Sequence, residues 1–153
     1  MSENLLEVEP QGRYLEDWSA GDVFVTAGRT IQEADLRWFG RWVGTQPNGT
    51  MDPAHLMLAV MLLIQRLSII EGTGVSNLGS QWTFQAPVKP KDTIRVRLSC
   101  MDARPSQSMD YCGVVSLKIS VENQHSETVA EADWVTLILR RAAGSASSAE
   151  EGS

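Results

Sequence analysis

Asp52 and His55 stand three residues apart at the head of nine consecutive apolar residues, Leu56 to Ile64. A carboxylate and an imidazole at this spacing sit on neighbouring faces of one helical turn, where they can act as an acid/base pair. The plainer alternative is that Asp52 caps the helix and His55 makes a structural hydrogen bond. Upstream, Gln46 and Asn48 can hold a water or an amide of an extended ligand, although loop polarity alone accounts for them equally well. Trp38, Trp42 and Trp82 can line an apolar tunnel, but aromatics at helical or strand spacing are more often core. Met51, Met57 and Met61 add adaptable apolar surface near the same place.

The element that must position Asp52 and His55 is a helix whose start is legible. Asp52 can accept from free N–H groups of the first turn, and Pro53 suits the first helical position because it has no N–H to lose. The pattern predicts a helix from Pro53 to about Glu71 with Gly72 as its stop, roughly 28 Å long at the usual rise. Leu56 to Ile64 leave no polar stripe, so the first half must be surrounded by protein on all sides. The apolar run is far shorter than the roughly 20 residues that cross a bilayer. A core helix follows, and no membrane partner.

The chain has 153 residues, a net charge of −6 and a pI near 4.9. That length fits one domain with its own core, and the acidic balance argues against a nucleic-acid partner, which needs clustered Lys and Arg. Lys89, Lys91, Arg95, Arg97 and Arg104 gather in one third of the chain, as a solvated strand face or a local anion site. Met1-Ser2-Glu3-Asn4 has no secretory n-region or h-region, which points to a cytoplasmic protein. Cys100 and Cys112 lack metal-ligand spacing and a disulfide framework, so free buried thiols are expected.

Residues 1–12 read as an N-terminal arm, 13–141 as the folded domain and 142–153 as a low-complexity, disordered tail. Asp22 to Thr26 is predicted as a first strand, and Thr30 with Glu33 as a capping box for an amphipathic covering helix through Val43. The loop 44–51 feeds the long helix. Strands are predicted over Ser80–Val88, Thr93–Met101, Tyr111–Val121 and Thr128–Leu139, with His125 in an exposed turn. One apolar helix followed by long antiparallel strands implies an α+β domain in which the sheet wraps the helix. Its long β-edges need pairing, so two copies are expected to form a dimer.

Several segments over residues 14–140 resemble the MaoC-like dehydratases and R-specific enoyl-CoA hydratases, which have the hotdog fold. Tyr14-Leu15-Glu16-Asp17-Trp18-Ser19-Ala20-Gly21-Asp22 is similar to that family's entry segment, and Arg29 to Asp35 to the start of its first helix. Trp82 to Ile94 resembles a strand, turn and strand in which a Phe precedes Pro-Val, with Lys91 where Gly is usual. Val121 to Gln124 and Glu127 to Val129 resemble the final hairpin. In the family an Asp and a His, five residues apart, handle water at an enoyl thioester, and an Ala-His-Gly opens the central helix. By the resemblance Thr45 stands at the Asp position, Thr50 at the His position, Ala54-His55 match the Ala-His after a shortened spacer, and Leu56 replaces the Gly.

Hydration of an enoyl thioester needs a base for water, an acid at Cα and donors for the enolate oxygen. Thr45 and Thr50 can orient water, but a hydroxyl is a weak base near neutral pH. Donors can survive at the helix N-terminus because they belong to the backbone. The resemblance therefore implies a protein that binds acyl-CoA or acyl-carrier-protein thioesters without cofactor or metal. Three activities follow: a divergent hydratase or dehydratase, a lyase using Asp52 and His55 or catalytic residues supplied by a second subunit; a non-catalytic subunit of a heteromer with another hotdog chain; or a hotdog thioesterase. Binding would involve Thr45, Gln46, Asn48, Thr50, Leu56 and Trp82.

Overall fold

The structure is a computed structural model that describes residues 12–142. The expected N-terminal arm and C-terminal tail lie outside this range, save for Gly12 and Ala142 at its two ends. A 3-10 turn, Leu15–Asp17, leads to two short strands, β1 (Val23–Val25) and β2 (Arg29–Thr30), then to α1 (Glu33–Val43) and α2 (Pro53–Gln65). Four long strands follow: β3 (Gly74–Phe84), β4 (Thr93–Pro105), β5 (Cys112–Glu122) and β6 (Thr128–Leu139). They form an antiparallel sheet in the order β1-β4-β5-β6-β3, with β2 also paired to β4.

The long strands alternate as their sequences require. Along β4, Ile94, Val96, Leu98 and Cys100 are buried while Arg95 and Arg97 are exposed, so one face meets the core and the other meets water. Ile119, Val121, Ala130, Ala132 and Trp134 extend that core across β5 and β6 to Leu56, Val60, Leu63 and Ile64 of α2. The architecture is the expected α+β arrangement of a sheet around an apolar helix. Cys100 and Cys112 are free, buried thiols.

Three local expectations need correction. The helix α2 ends at Gln65, six residues before Glu71. Leu67 and Ser68 donate to Ile64 and Gln65 in tightened turns, Ser68 takes φ 56°, and the carbonyls of Ile69 and Glu71 accept from Arg13 and Gly12. Tertiary pairing with the N-terminal segment thus claims backbone that helix continuation would have used. At the start of α1, the Asp35 carboxylate, not that of Glu33, accepts the backbone N–H, and it does so from Gln32 at 2.9 Å. Thr30 lies on β2, its hydroxyl 2.8 Å from that of Thr93. The first long strand runs Gly74–Phe84 and not Ser80–Val88; Val88 is buried beyond it, its carbonyl accepting from Met51 N–H at 2.8 Å.

Two devices close the domain. Gln124 in the β5–β6 turn donates to Asp92 at 2.9 Å and accepts from Thr93 N–H at 3.0 Å, tying that turn to the start of β4. After β6, Arg141 makes a bidentate pair with Asp17 at 2.8 and 2.7 Å, which holds the Asp17 carboxyl below its ordinary range. Lys91, at the position where the resemblance expects Gly, adopts φ 79°, a left-handed conformation that costs an L-residue roughly 1 kcal/mol.

Candidate functional site

The α2 entrance forms as its sequence dictates. Asp52 takes an extended conformation, its Oδ1 accepts the Ala54 N–H at 2.8 Å, and Pro53 occupies the first turn. This use of the carboxylate leaves it exposed at the surface and without an ion pair to His55. His55 points the other way. It is only 6% exposed, lies flat on Phe39 with ring centroids 4.6 Å apart and an interplanar angle of 2°, and has Trp38 at 6.2 Å. Its Nδ1 is buried without a hydrogen-bond partner among the described residues.

Burial lowers the His55 pKa below its ordinary value, with Asp35 and Asp52 opposing that shift. The ring is therefore neutral near pH 7. Because the unfolded chain accepts a proton here at about pH 6.5 and the folded site only at lower pH, acid favours the unfolded state below about pH 6.5. Denaturation midpoints should fall between about pH 7 and 5.5, and His55→Phe should flatten that fall. Parallel wild-type and variant profiles would show that His55 is not its source.

Two cavities meet at His55. One, about 390 Å³, is an apolar slot between α1 and α2 walled by Ile31, Trp38, Met51, Leu58, Ala59 and Leu62, with Arg29, Asp35 and Arg66 also bordering it. Arg29 and Asp35 form an ion pair at 3.0 Å. The other, about 280 Å³, is polar and gathers Thr45, Gln46, Asn48, Thr50 and Asp52 below the N-terminus of α2. In it Asn48 Oδ1 accepts from both the Thr50 N–H at 3.3 Å and the Thr50 hydroxyl at 3.1 Å. The loop is held against α1 by Gly44, φ 76°, and by the Thr45 N–H donating to Gly40 at 2.9 Å. A Cβ on Gly40 would meet the Thr45 carbonyl oxygen at 2.5 Å, so glycine there permits the close approach.

Of the residues singled out from sequence, Thr45, Gln46, Asn48, Thr50, Asp52 and His55 therefore converge. Leu56 does not join them: its side chain is in the core. Trp82 lies on β3, stacked on Phe84 at 6.0 Å with its indole N–H donating to Ser80, and lines neither cavity. Sequence reasoning missed Phe39 as the shelf for His55 and Arg29 with Asp35 as neighbours of the slot. The six-residue spacing of Arg29 and Asp35 across the β2–α1 junction was the available signal for that pair.

The sheet wrapped on α2 is shared with solved structures. A MaoC-like dehydratase from Rhodospirillum rubrum superimposes with a TM-score of 0.73 at 21% identity, covering 86% of this chain and 99% of that one. The fold is the hotdog fold. An unliganded R-hydratase from Pseudomonas aeruginosa matches this hotdog chain with a TM-score of 0.62 at 20% identity, over 84% and 86% of the two chains. The C-terminally truncated 3R-hydroxyacyl-ACP dehydratase complex from Mycobacterium tuberculosis matches with 0.62 at 13% identity, over 77% of this chain and 96% of that one. Neither a protein-family model nor a curated protein matches the sequence. Among the described residues of this hotdog domain no helix is long and apolar enough to cross a membrane, and no three His, Cys, Asp or Glu side chains gather as metal ligands.

Proposed function

We propose that this hotdog domain binds acyl thioesters of the enoyl-CoA hydratase and dehydratase type, and that its own side chains do not complete the hydration step. The observation that carries the reading is the apolar slot ending at His55 beside a polar cavity at the head of α2. An acyl chain fits the slot, and the polar cavity suits the thioester end and the amides of a pantetheine arm. The N-terminus of α2 favours the negative charge that develops on a thioester oxygen. The names of the solved hotdog relatives support the same ligand class.

Hydration fails for want of a matched pair. Neutral His55 can accept a proton, but no carboxylate orients it, since Asp52 caps Ala54. Thr45 and Thr50 offer only hydroxyls. This favours the non-catalytic subunit among the alternatives, with the acid and base arriving on a partner hotdog chain. Titration with enoyl-CoA, together with loss of enoyl absorbance and release of free thiol, tests the reading: binding without either signal supports it. Hydration would make the chain an enzyme, with Asp52 and His55 as its acid/base candidates. Thiol release would make it a thioesterase.

The partner surface in this reading is β3. It is an edge strand of 11 residues, its side chains nearly all exposed, with Val75, Leu78 and Phe84 among them. From Gly74 to Phe84 it carries no charge and no proline, the usual protections of a free edge. At the opposite end of the sheet, β1 is only 3 residues long. A second hotdog chain pairing along β3 would cover this edge and continue the sheet. Without that partner the same edge can pair two copies of this chain, so the purified protein should sediment as a dimer and Leu78→Lys should release monomers; a variant dimer would count against this edge.

A further inference from the structure

We propose that the outer surface of α1, with the adjoining outward side of α2, is a docking surface for an acidic acyl carrier protein. The thioester would then reach the slot on a protein and not on CoA. This deepens the acyl-thioester reading and rests on it. The central helix is apolar all round, yet one side is bare: Leu58 is 39% and Leu62 50% exposed. Beside them on α1, Trp38 is 49% and Trp42 77% exposed, their ring centroids 6.2 Å apart. Two exposed tryptophans next to two exposed leucines form a contiguous apolar face of the kind that marks an interaction site. Trp and Arg are also the residues most often found at the energetic centre of protein interfaces.

The charges choose the occupant. Across residues 29–66 four arginines face three carboxylates, a reversal of sign in a chain whose net charge is −6. Arg29 is paired with Asp35, and Arg37 lies 4.0 Å from Glu33. Arg41 and Arg66 are exposed and make no ion pair among the described residues. Arg41 is one helical turn beyond Trp38, and Arg66 borders the slot with Trp38. An acidic partner is repelled by most of this surface and attracted here, which both steers and orients it.

Two other occupants fit less well. The phosphates of CoA call for cations clustered on one spot, whereas Arg41 is on α1 and Arg66 follows the end of α2, and of the two only Arg66 borders the slot. A second copy of this chain would offer Arg41 and Arg66 the same face, whose carboxylates Asp35 and Glu33 already lie beside Arg29 and Arg37. The uncharged β3 edge, which adjoins α2 through Met61 and Gln65 and not through Leu58 and Leu62, offers that copy a better surface. Trp38 of this face lies 6.2 Å from His55, where the slot meets the polar cavity, so a carrier seated there is beside the junction at which the arm leaves the acyl chain.

The test compares crotonyl-CoA with a crotonyl-loaded acyl carrier protein of bacterial fatty-acid synthesis, by calorimetry on the full chain. The carrier thioester should bind at least tenfold tighter at low salt and weaken as salt is raised. Arg41→Glu and Trp42→Ala alter exposed side chains that do not line the slot. Each should reduce carrier affinity at least tenfold and leave crotonyl-CoA affinity within twofold. Equal or tighter binding of crotonyl-CoA, or carrier affinity untouched by both variants, overturns the docking surface while leaving the acyl-thioester reading intact. Conversion of a dimer to monomers by Trp42→Ala also overturns it, by assigning the face to a second copy. Failure of both thioesters to bind overturns the acyl-thioester reading, and the docking surface falls with it.

Discussion

Purified alone, the protein should hydrate crotonyl-CoA at least about a thousandfold more slowly than the ~10 per second of an ordinary enzyme. A positioned acid or base is worth roughly 10²–10⁴ in rate, so a site lacking the matched pair loses most of its acceleration even if substrate binds well. The geometry at α2 gives the reason. Asp52 is committed to the Ala54 N–H, while His55 is turned into the interior against Phe39. The two candidates are near in sequence but are held apart by opposite duties. The rate should stay at this floor in Asp52→Asn and His55→Phe alike. Measurable turnover in the wild type that His55→Phe removes would restore catalysis to this chain.

Ala59→Trp should weaken acyl-CoA binding about a hundredfold. Ala59 lines the slot together with Trp38, and an indole there occupies the space the acyl chain would take. Burying a four-carbon chain contributes roughly 3 kcal/mol at ~0.8 kcal/mol per methylene, so excluding it should weaken binding by about a hundredfold. A thermal melt of the variant guards against loss of the fold, since overpacking a site can itself destabilise by ~1–3 kcal/mol. A well-folded Ala59→Trp protein that binds acyl-CoA as tightly as wild type would place the ligand elsewhere.

Much of the scaffold was legible because it follows local rules. Alternation gave β6 over its full length and β4 and β5 nearly so, and Asp52-Pro53 gave the start of α2. The end of α2 was not legible, because Ile69 and Glu71 are held by Gly12 and Arg13, far away in sequence. The limits of β3 were missed for a related reason: its first half, Gly74 to Gly79, lacks alternation and contains two register shifts against β6. The capping signature at Thr30 misled because Thr30 belongs to a strand bonded to Thr93.

At the site, the polar half was readable as a loop leading into a helix, which brings Thr45, Gln46, Asn48 and Thr50 close to Asp52 without long-range contact. The apolar half depends on the angle at which α1 crosses α2, which no sequence period encodes. That crossing sets Phe39 on His55 and leaves Trp38 on the slot wall. It also leaves Leu58 and Leu62 bare, where an apolar helix was expected to be enclosed. The missing enclosure is consistent with a site finished by a partner.

The most direct test is a calorimetric titration of crotonyl-CoA into the purified protein, with the enoyl absorbance of the recovered ligand read at the end. Saturable binding with the absorbance unchanged is the expected result. No binding at millimolar ligand, or conversion of the enoyl group during the titration, would contradict the account.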